Sequence, residues 1–206
     1  MISLFLDTCN KNIVIGLLED NKLIDKTVYI NDNNLSEKLL PSIKELLDKN
    51  NIKVNNLNRI YVSVGPGSFT GIRIGLTVAK VMSWALKIDI IPISSLETIA
   101  STDIDSDYNY ICPMIDARRG YVYASLYDKE LNNIIKDQYI KQEDFTNLLK
   151  DYKYEIVSYE SASKPIVNIE KIVAKHVNDK SINPHKINPI YLKLTEAEEK
   201  RNDNRN

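Results

Sequence analysis

Apolar residues gather into short runs from the start of the chain. Residues 2–6 form a run that stops at Asp7-Thr8, residues 13–18 a second that ends before Asp20-Asn21, and residues 23–30 a third. Runs this short, closed by Asp and Asn, read as strands, and their brief connections predict an antiparallel meander. Beyond polar residues 31–34 the period changes. Leu35, Leu39, Ile43, Leu46 and Leu47 recur at spacings of three and four, the stripe of a half-buried helix, and Pro41 inside it predicts a kink or a late start. Residues 60–64 are β-branched and aromatic and read as a fourth strand. A glycine-rich loop follows, then a helix over 72–86, a fifth strand over 89–93, and a short helix containing Glu97 with Ser95 as its expected N-cap.

The first hundred residues thus read β-β-β-α-β-α-β-α. A meander followed by right-handed βαβ crossovers gives a mixed five-stranded sheet with helices on its faces. This α/β order is ribonuclease-H-like and is also the half-unit of the actin-like (ASKHA) class, an analogy that supplies no function by itself. The polar stretch 102–109 is the expected linker. After it come strands over 110–115 and 121–127 around a turn at 117–120, a third over 134–140, a short helix over 143–149, a weak strand over 156–159, helical spacing over 166–177 and an extended piece over 187–194. The expected organisation is an N-terminal domain over 1–101, a smaller α/β domain over 102–195, and a charged, frayed tail over 196–206.

Composition narrows the function classes. The chain has 206 residues, with 27 Lys and Arg against 28 Asp and Glu, for a formal net charge of -1. Nucleic-acid binding by charge alone needs a broadly basic face, so any nucleic-acid contact is expected only through a larger complex. No apolar run reaches the roughly 18 residues of a membrane span, and the acidic residue at position 7 argues against a signal peptide. Two cysteines, Cys9 and Cys112, give no disulfide framework. A cytoplasmic location is the expectation, with no membrane partner.

The sharpest feature is the loop Gly65-Pro66-Gly67-Ser68-Phe69-Thr70-Gly71, followed by Ile72-Arg73. It lies between a strand and a helix, with Thr70 as a candidate cap. Its spacing is GxGxxxG, neither a Walker A loop nor a dinucleotide fingerprint. A tight structural turn and an anion-holding loop both fit; the architectural role is carried forward, with Gly67 and Gly71 expected at φ > 0. Asp7 and Thr8 end the first strand and are weak candidates for cofactor binding. The turn after them, Thr8-Cys9-Asn10-Lys11-Asn12, lacks the glycine of a kinase-like phosphate turn, and the fourth strand ends without a second acid for a two-metal site. The two histidines, His176 and His185, form no metal pair; no GxSxG elbow occurs. No catalytic residue, metal ligand or cofactor is therefore assigned. Arg118-Arg119 sit in a turn and read as solvated.

The helix IRIGLTVAKVMSWAL carries only two charges, Arg73 and Lys80, and is apolar nearly all round. Gly75, Ala79 and Ser83 recur every four residues, a thin stripe on which a helix can approach closely. The expected partner surface combines Leu39, Ile43 and Leu46 with Gly75, Ala79, Met82 and Leu86, and in isolation it is expected to pair with a second copy.

GPGSFTGIRIGLTVAK closely resembles the signature of the TsaB (YeaZ) family. LFLDTC, SEKLLPSI, PISSLETIA, IDARRGYVYASLY and INPIYLK agree in order, so the likeness covers most of the chain. The sequence departs where Leu35 replaces a usual histidine and where Ser158-Tyr159-Glu160 replaces a glycine-bearing turn. The resemblance implies a non-catalytic member of the actin-like class. It implies pairing, through the first two helices, with TsaD, the subunit that installs threonylcarbamoyl on adenosine 37 of tRNAs reading ANN codons. It also implies TsaE as a further component of the complex.

Overall fold

A computed structural model describes residues 1–31, 34–105 and 107–193. Its elements are β1 (Ile2–Asp7), β2 (Asn12–Glu19), β3 (Lys22–Ile30), α1 (Leu35–Lys49), β4 (Leu57–Ser63), α2 (Phe69–Leu86), β5 (Asp89–Ile93) and α3 (Ser95–Ala100), then β6 (Tyr110–Asp116), β7 (Tyr121–Asp128), β8 (Asn133–Lys141), α4 (Gln142–Leu148), β9 (Tyr154–Val157) and α5 (Ile169–His176). The first sheet has the order β3-β2-β1-β4-β5. β1, β2 and β3 are antiparallel, and β4 and β5 run parallel to β1. The second sheet, β8-β7-β6-β9, repeats the first four positions with the same senses. A helix precedes the fourth strand of each sheet and another follows it. The second half is therefore a shorter copy of the first, lacking its fifth strand.

Burial explains the patterning. β1 is almost wholly enclosed, with Leu4, Phe5 and Leu6 fully buried, because helices cover both faces of its sheet. Leu4, Leu6, Ile13 and Ile15 meet Leu39, Ile43 and Leu46 of α1 and Ala79 of α2. On the opposite face Phe5, Val14, Leu18 and Tyr61 join α3, α5 and the second-sheet residues Ile111, Tyr127 and Val157 in one core. A third cluster lies under α4, around Phe145.

The last part of the chain returns to the first sheet. Ile172 and Val173 of α5 sit in the shared core, and residues 182–190 run beside α2, where the Ile190 amide donates to Val64 O at 2.8 Å and Lys80 Nζ to Ile187 O at 2.9 Å. The extended piece expected over 187–194 forms no strand over its described part; a 3-10 turn at Pro184–Lys186 leads into irregular chain. Leu194 and the tail lie outside the described residues.

Local expectations were shifted in several places. α1 runs unbroken with Pro41 in its second turn, because Leu35, Leu39 and Ile43 are buried on both sides of the proline and hold the turn that it weakens. α2 begins at Phe69 rather than Ile72, with Ser68 rather than Thr70 as N-cap. The α3 cap is Ser94, whose Oγ accepts from the Leu96 amide, and Ser95 is the first helical residue. The ninth strand ends at Val157.

Candidate functional site

The glycine loop clasps the turn after β1. The Ser68 amide donates to Cys9 O at 2.7 Å, and Thr8 Oγ1 donates to Gly71 O at 2.7 Å. Ser68 Oγ accepts from the Gly71 amide at 3.2 Å and so caps α2. On the other side the Ser95 amide donates to Gly65 O at 3.0 Å, and Ser95 Oγ donates to Pro66 O. The Ser68 and Gly71 amides are thus committed to the chain itself.

Two glycines show why the motif is needed. Gly67 has φ +151°, and a Cβ there would lie 2.3 Å from Cys9 O. Gly71 does not have the expected positive φ: it is helical, and its constraint is steric. A Cβ on Gly71 would stand 2.0 Å from the Thr8 carbonyl oxygen.

Asp7 is buried beneath this clasp. One carboxylate oxygen accepts from the Cys9 amide at 2.9 Å, the other from Asn10 Nδ2 at 3.4 Å. Burial raises its pKa, against the lowering effect of these bonds. Cys9 Sγ donates to Ser63 O at 3.3 Å, and burial, then the nearby Asp7, push its thiol well up. Tyr159 comes from the second half, and its phenol is pushed up first by burial and next by Asp7. The turn at which an actin-like ATPase would meet phosphate is packed by glycine loop on one side. Among the described residues no three His, Cys, Asp or Glu side chains are placed to hold a metal ion.

The expected partner surface needs correction. Leu39, Ile43, Leu46, Gly75 and Ala79 are buried inside the chain, with Leu39 and Ala79 fully enclosed. The thin stripe of α2 faces the sheet: a Cβ on Gly75 would meet Thr8 Oγ1 at 2.0 Å. Of the expected set, Met82 and Leu86 stay partly exposed. The outward stripe of α2 is Thr77, Val81, Trp84 and Ala85, with Val81 58% and Trp84 64% exposed. Beside it Leu40 of α1 is 53% exposed. Along α1 and the segment after it lies an open groove of about 700 Å³ lined by Leu40, Ile43, Lys44, Leu47, Asp48, Ile52 and Val54, with Met82 of α2.

At the other end of α2, Arg73 and Phe69 form a second exposed feature. The Arg73 guanidinium lies 3.7 Å from the Phe69 ring centroid and donates from Nε to Tyr191 OH at 2.8 Å. Tyr191 stacks on Phe69 at 5.0 Å. Sequence spacing could not have joined positions 69, 73 and 191. His176 is a satisfied structural group, bridging Glu97 at 2.8 Å and Asp179 at 2.6 Å.

Two mixed sheets of the same strand order, packed through a shared core, define an actin-like two-lobed protein. A family profile described as TsaD, tRNA N6-adenosine threonylcarbamoyltransferase, matches residues 29–197. The chain is 37% identical over 154 residues to the tRNA threonylcarbamoyladenosine biosynthesis protein TsaB of Bacillus subtilis, covering 73% of this chain and 67% of that one. It is 30% identical over 195 residues to TsaB of Buchnera aphidicola from Acyrthosiphon pisum, covering 84% and 87%. YeaZ from Pseudomonas aeruginosa shares the fold, with TM-score 0.77, 18% identity and coverage of 93% of this chain and 99% of that one. The chain belongs to the TsaB (YeaZ) family.

Proposed function

We propose that this chain is a non-catalytic subunit in the synthesis of tRNA threonylcarbamoyladenosine, the pathway for which its TsaB relatives are named. It binds and supports a TsaD-type catalytic subunit that modifies adenosine 37 of tRNAs reading ANN codons, with TsaE in the same assembly. The setting is cytoplasmic, and no helix among the described residues is long and apolar enough to cross a membrane.

The observation that carries the reading is the exposed apolar face of α1 and α2. Val81, Trp84 and Leu40 stand outside the folded core, and Leu40 lines an apolar groove with Met82 of α2. Each large side chain buried there contributes roughly 1.5–3 kcal/mol, and large exposed apolar side chains on neighbouring helices suit an interaction surface. The clasp over Asp7 supports the non-catalytic role, because the glycine loop occupies the turn that phosphate would need. With TsaD absent, the same face pairs with a second copy.

The test is the double substitution Val81→Glu with Trp84→Glu, followed by pull-down with the organism's TsaD and light scattering of the free chain. The variant is expected to stay folded and to lose both pairings. Ala79→Arg is unsuitable, since it would place an unpaired charge in the core and unfold the chain. Normal TsaD binding by the Val81→Glu/Trp84→Glu protein would overturn the assignment of the face. ATP turnover by the pure chain, abolished by Asp7→Ala, would overturn the non-catalytic role.

A further inference from the structure

The turn Arg118-Arg119-Gly120 and the tyrosines beside it remain outside the pairing face and the glycine clasp. Arg118 and Arg119 have φ of 67° and 56°, the left-handed region, which is unfavourable for a residue with a Cβ. Both are exposed, as is Lys141, and none of the three forms an ion pair among the described residues. Tyr121 follows the turn directly and stands opposite Lys141 in the β7–β8 register, two pairs from Tyr123 and Tyr139 and so on the same sheet face. Residues opposite one another share a sheet face, so Tyr121, Tyr139 and Lys141 project together. The Tyr121 and Tyr139 rings stack at 4.8 Å with 16° between their planes. Lys193 Nζ lies 5.6 Å from the Tyr139 centroid. Arg119 and Lys141 line an open pocket of about 560 Å³ with Gly120, Gln142, Glu143, Thr146 and Asn147.

We infer that this corner of the second sheet receives an unpaired nucleotide of an RNA, its base stacked on Tyr121 and its phosphates against Arg119 and Lys141. The Tyr139–Tyr121 stack ends at the half-buried Tyr121 ring, with no further aromatic or cationic ring contact among the described residues. A nucleobase extends such a stack, and aromatic platforms flanked by cations are the common means of holding single strands. Arg118 and Lys193 add charge on either side. Asp116, whose carboxylate accepts from the Arg118 amide at 2.9 Å, and Glu143 in the pocket temper that charge. Binding by the free chain is therefore weak, on the order of micromolar or above, in keeping with a net charge of -1. The choice of RNA rests on the tRNA-modification reading; the site itself lies on a different surface from the TsaD-pairing face.

Fluorescence anisotropy of the full chain at low salt, with an RNA hairpin carrying an unpaired loop and with a fully paired duplex, tests the inference. The hairpin is expected to bind more tightly than the duplex. Tyr121→Ala should weaken hairpin binding by about 5- to 150-fold, while Tyr121→Phe, which keeps the ring, should not. Arg119→Ala and Lys141→Ala should each lower the slope of log affinity against log salt by about 0.7. Val81→Glu/Trp84→Glu should bind the hairpin normally, so a failed TsaD assignment leaves this result readable. Thermal midpoints of the variants separate lost contact from lost fold. Absence of hairpin binding, equal loss with Tyr121→Phe and Tyr121→Ala, equal binding of hairpin and duplex, or full competition by AMP at the concentration of hairpin nucleotides would each overturn the proposal.

Discussion

Replacing Gly71 or Gly75 by alanine sets helix propensity against packing, and the coordinates decide which wins. Both residues lie within α2, where Gly→Ala alone would stabilise by about 1 kcal/mol. A Cβ at Gly71 would lie 2.0 Å from the Thr8 backbone oxygen; at Gly75 it would lie 2.0 Å from Thr8 Oγ1 and 3.1 Å from Thr8 Cβ. Forcing an atom into a packed interior costs about 1–3 kcal/mol. At Gly71 the displaced Thr8 also loses its 2.7 Å bond to Gly71 O, worth about 0.5–1.5 kcal/mol. The net expectation for Gly71→Ala is a loss of about 0.5–3.5 kcal/mol, which for a chain of this size lowers the thermal midpoint by about 2–4 °C per kcal/mol. The obstacles differ in kind, and Thr8→Ala separates them. It deletes the hydroxyl that blocks a Cβ at 75 but leaves the carbonyl that blocks one at 71. Urea unfolding of the two double-mutant cycles should therefore show Gly75→Ala relieved of its steric cost, by about 1 kcal/mol or more beyond additivity, while Gly71→Ala keeps its steric cost and recovers only the hydrogen bond that Thr8→Ala has already removed, about 0.5–1.5 kcal/mol. A Gly71→Ala protein as stable as the parent, or more so, would refute the close approach and leave propensity in command.

Two titratable groups give further expectations. Burial of the His176 ring opposes its charge, but the bonds to Glu97 and Asp179 outweigh this and raise its pKa. The stabilisation from His176 is then full below the unfolded value of about 6.5 and lost as pH rises through the folded value. The difference in urea midpoint between the parent and His176→Gln should shrink on going from mildly acidic to alkaline pH; a difference that grows would contradict the bridge. For Asp7 the raised pKa means that its charged form is disfavoured in the folded chain. Its contribution is favourable below the unfolded carboxyl value of about 3.9 and is lost as pH rises through the folded one. Asp7→Asn keeps an acceptor for the Cys9 amide and sets its NH2 where Asp7 accepts from Asn10 Nδ2; a turn of the Asn10 amide then presents Oδ1, a buried atom without a partner, to the new donor. It should raise the urea midpoint at neutral pH and bring no gain under acid conditions; a lower midpoint at neutral pH would refute this account.

The strand and helix order follows from short-range periodicity. Alternating or continuous apolar runs at 2–6 and 13–18, and the stripe Leu35-Leu39-Ile43, declare their elements because each needs only neighbours within a few residues to define a buried face. The glycine loop declared itself too, since few other residues fit φ +151° at Gly67 with a carbonyl 2.3 Å from a Cβ position. Which stripe of α2 faces inward was a different matter. Gly75-Ala79-Ser83 and Thr77-Val81-Trp84 both lack charge, so charge patterning does not order them. The Thr8 turn decided it, because only the stripe without bulky side chains lets the helix settle onto β1. The same holds for Asp7 under its clasp and for the corner where Tyr121, Tyr139 and Lys193 meet. These residues are brought together by strand register and by the return of the C-terminal segment across the sheets. Local sequence encodes which surfaces need covering; the pairing of distant surfaces is fixed only when the whole chain buries them at once.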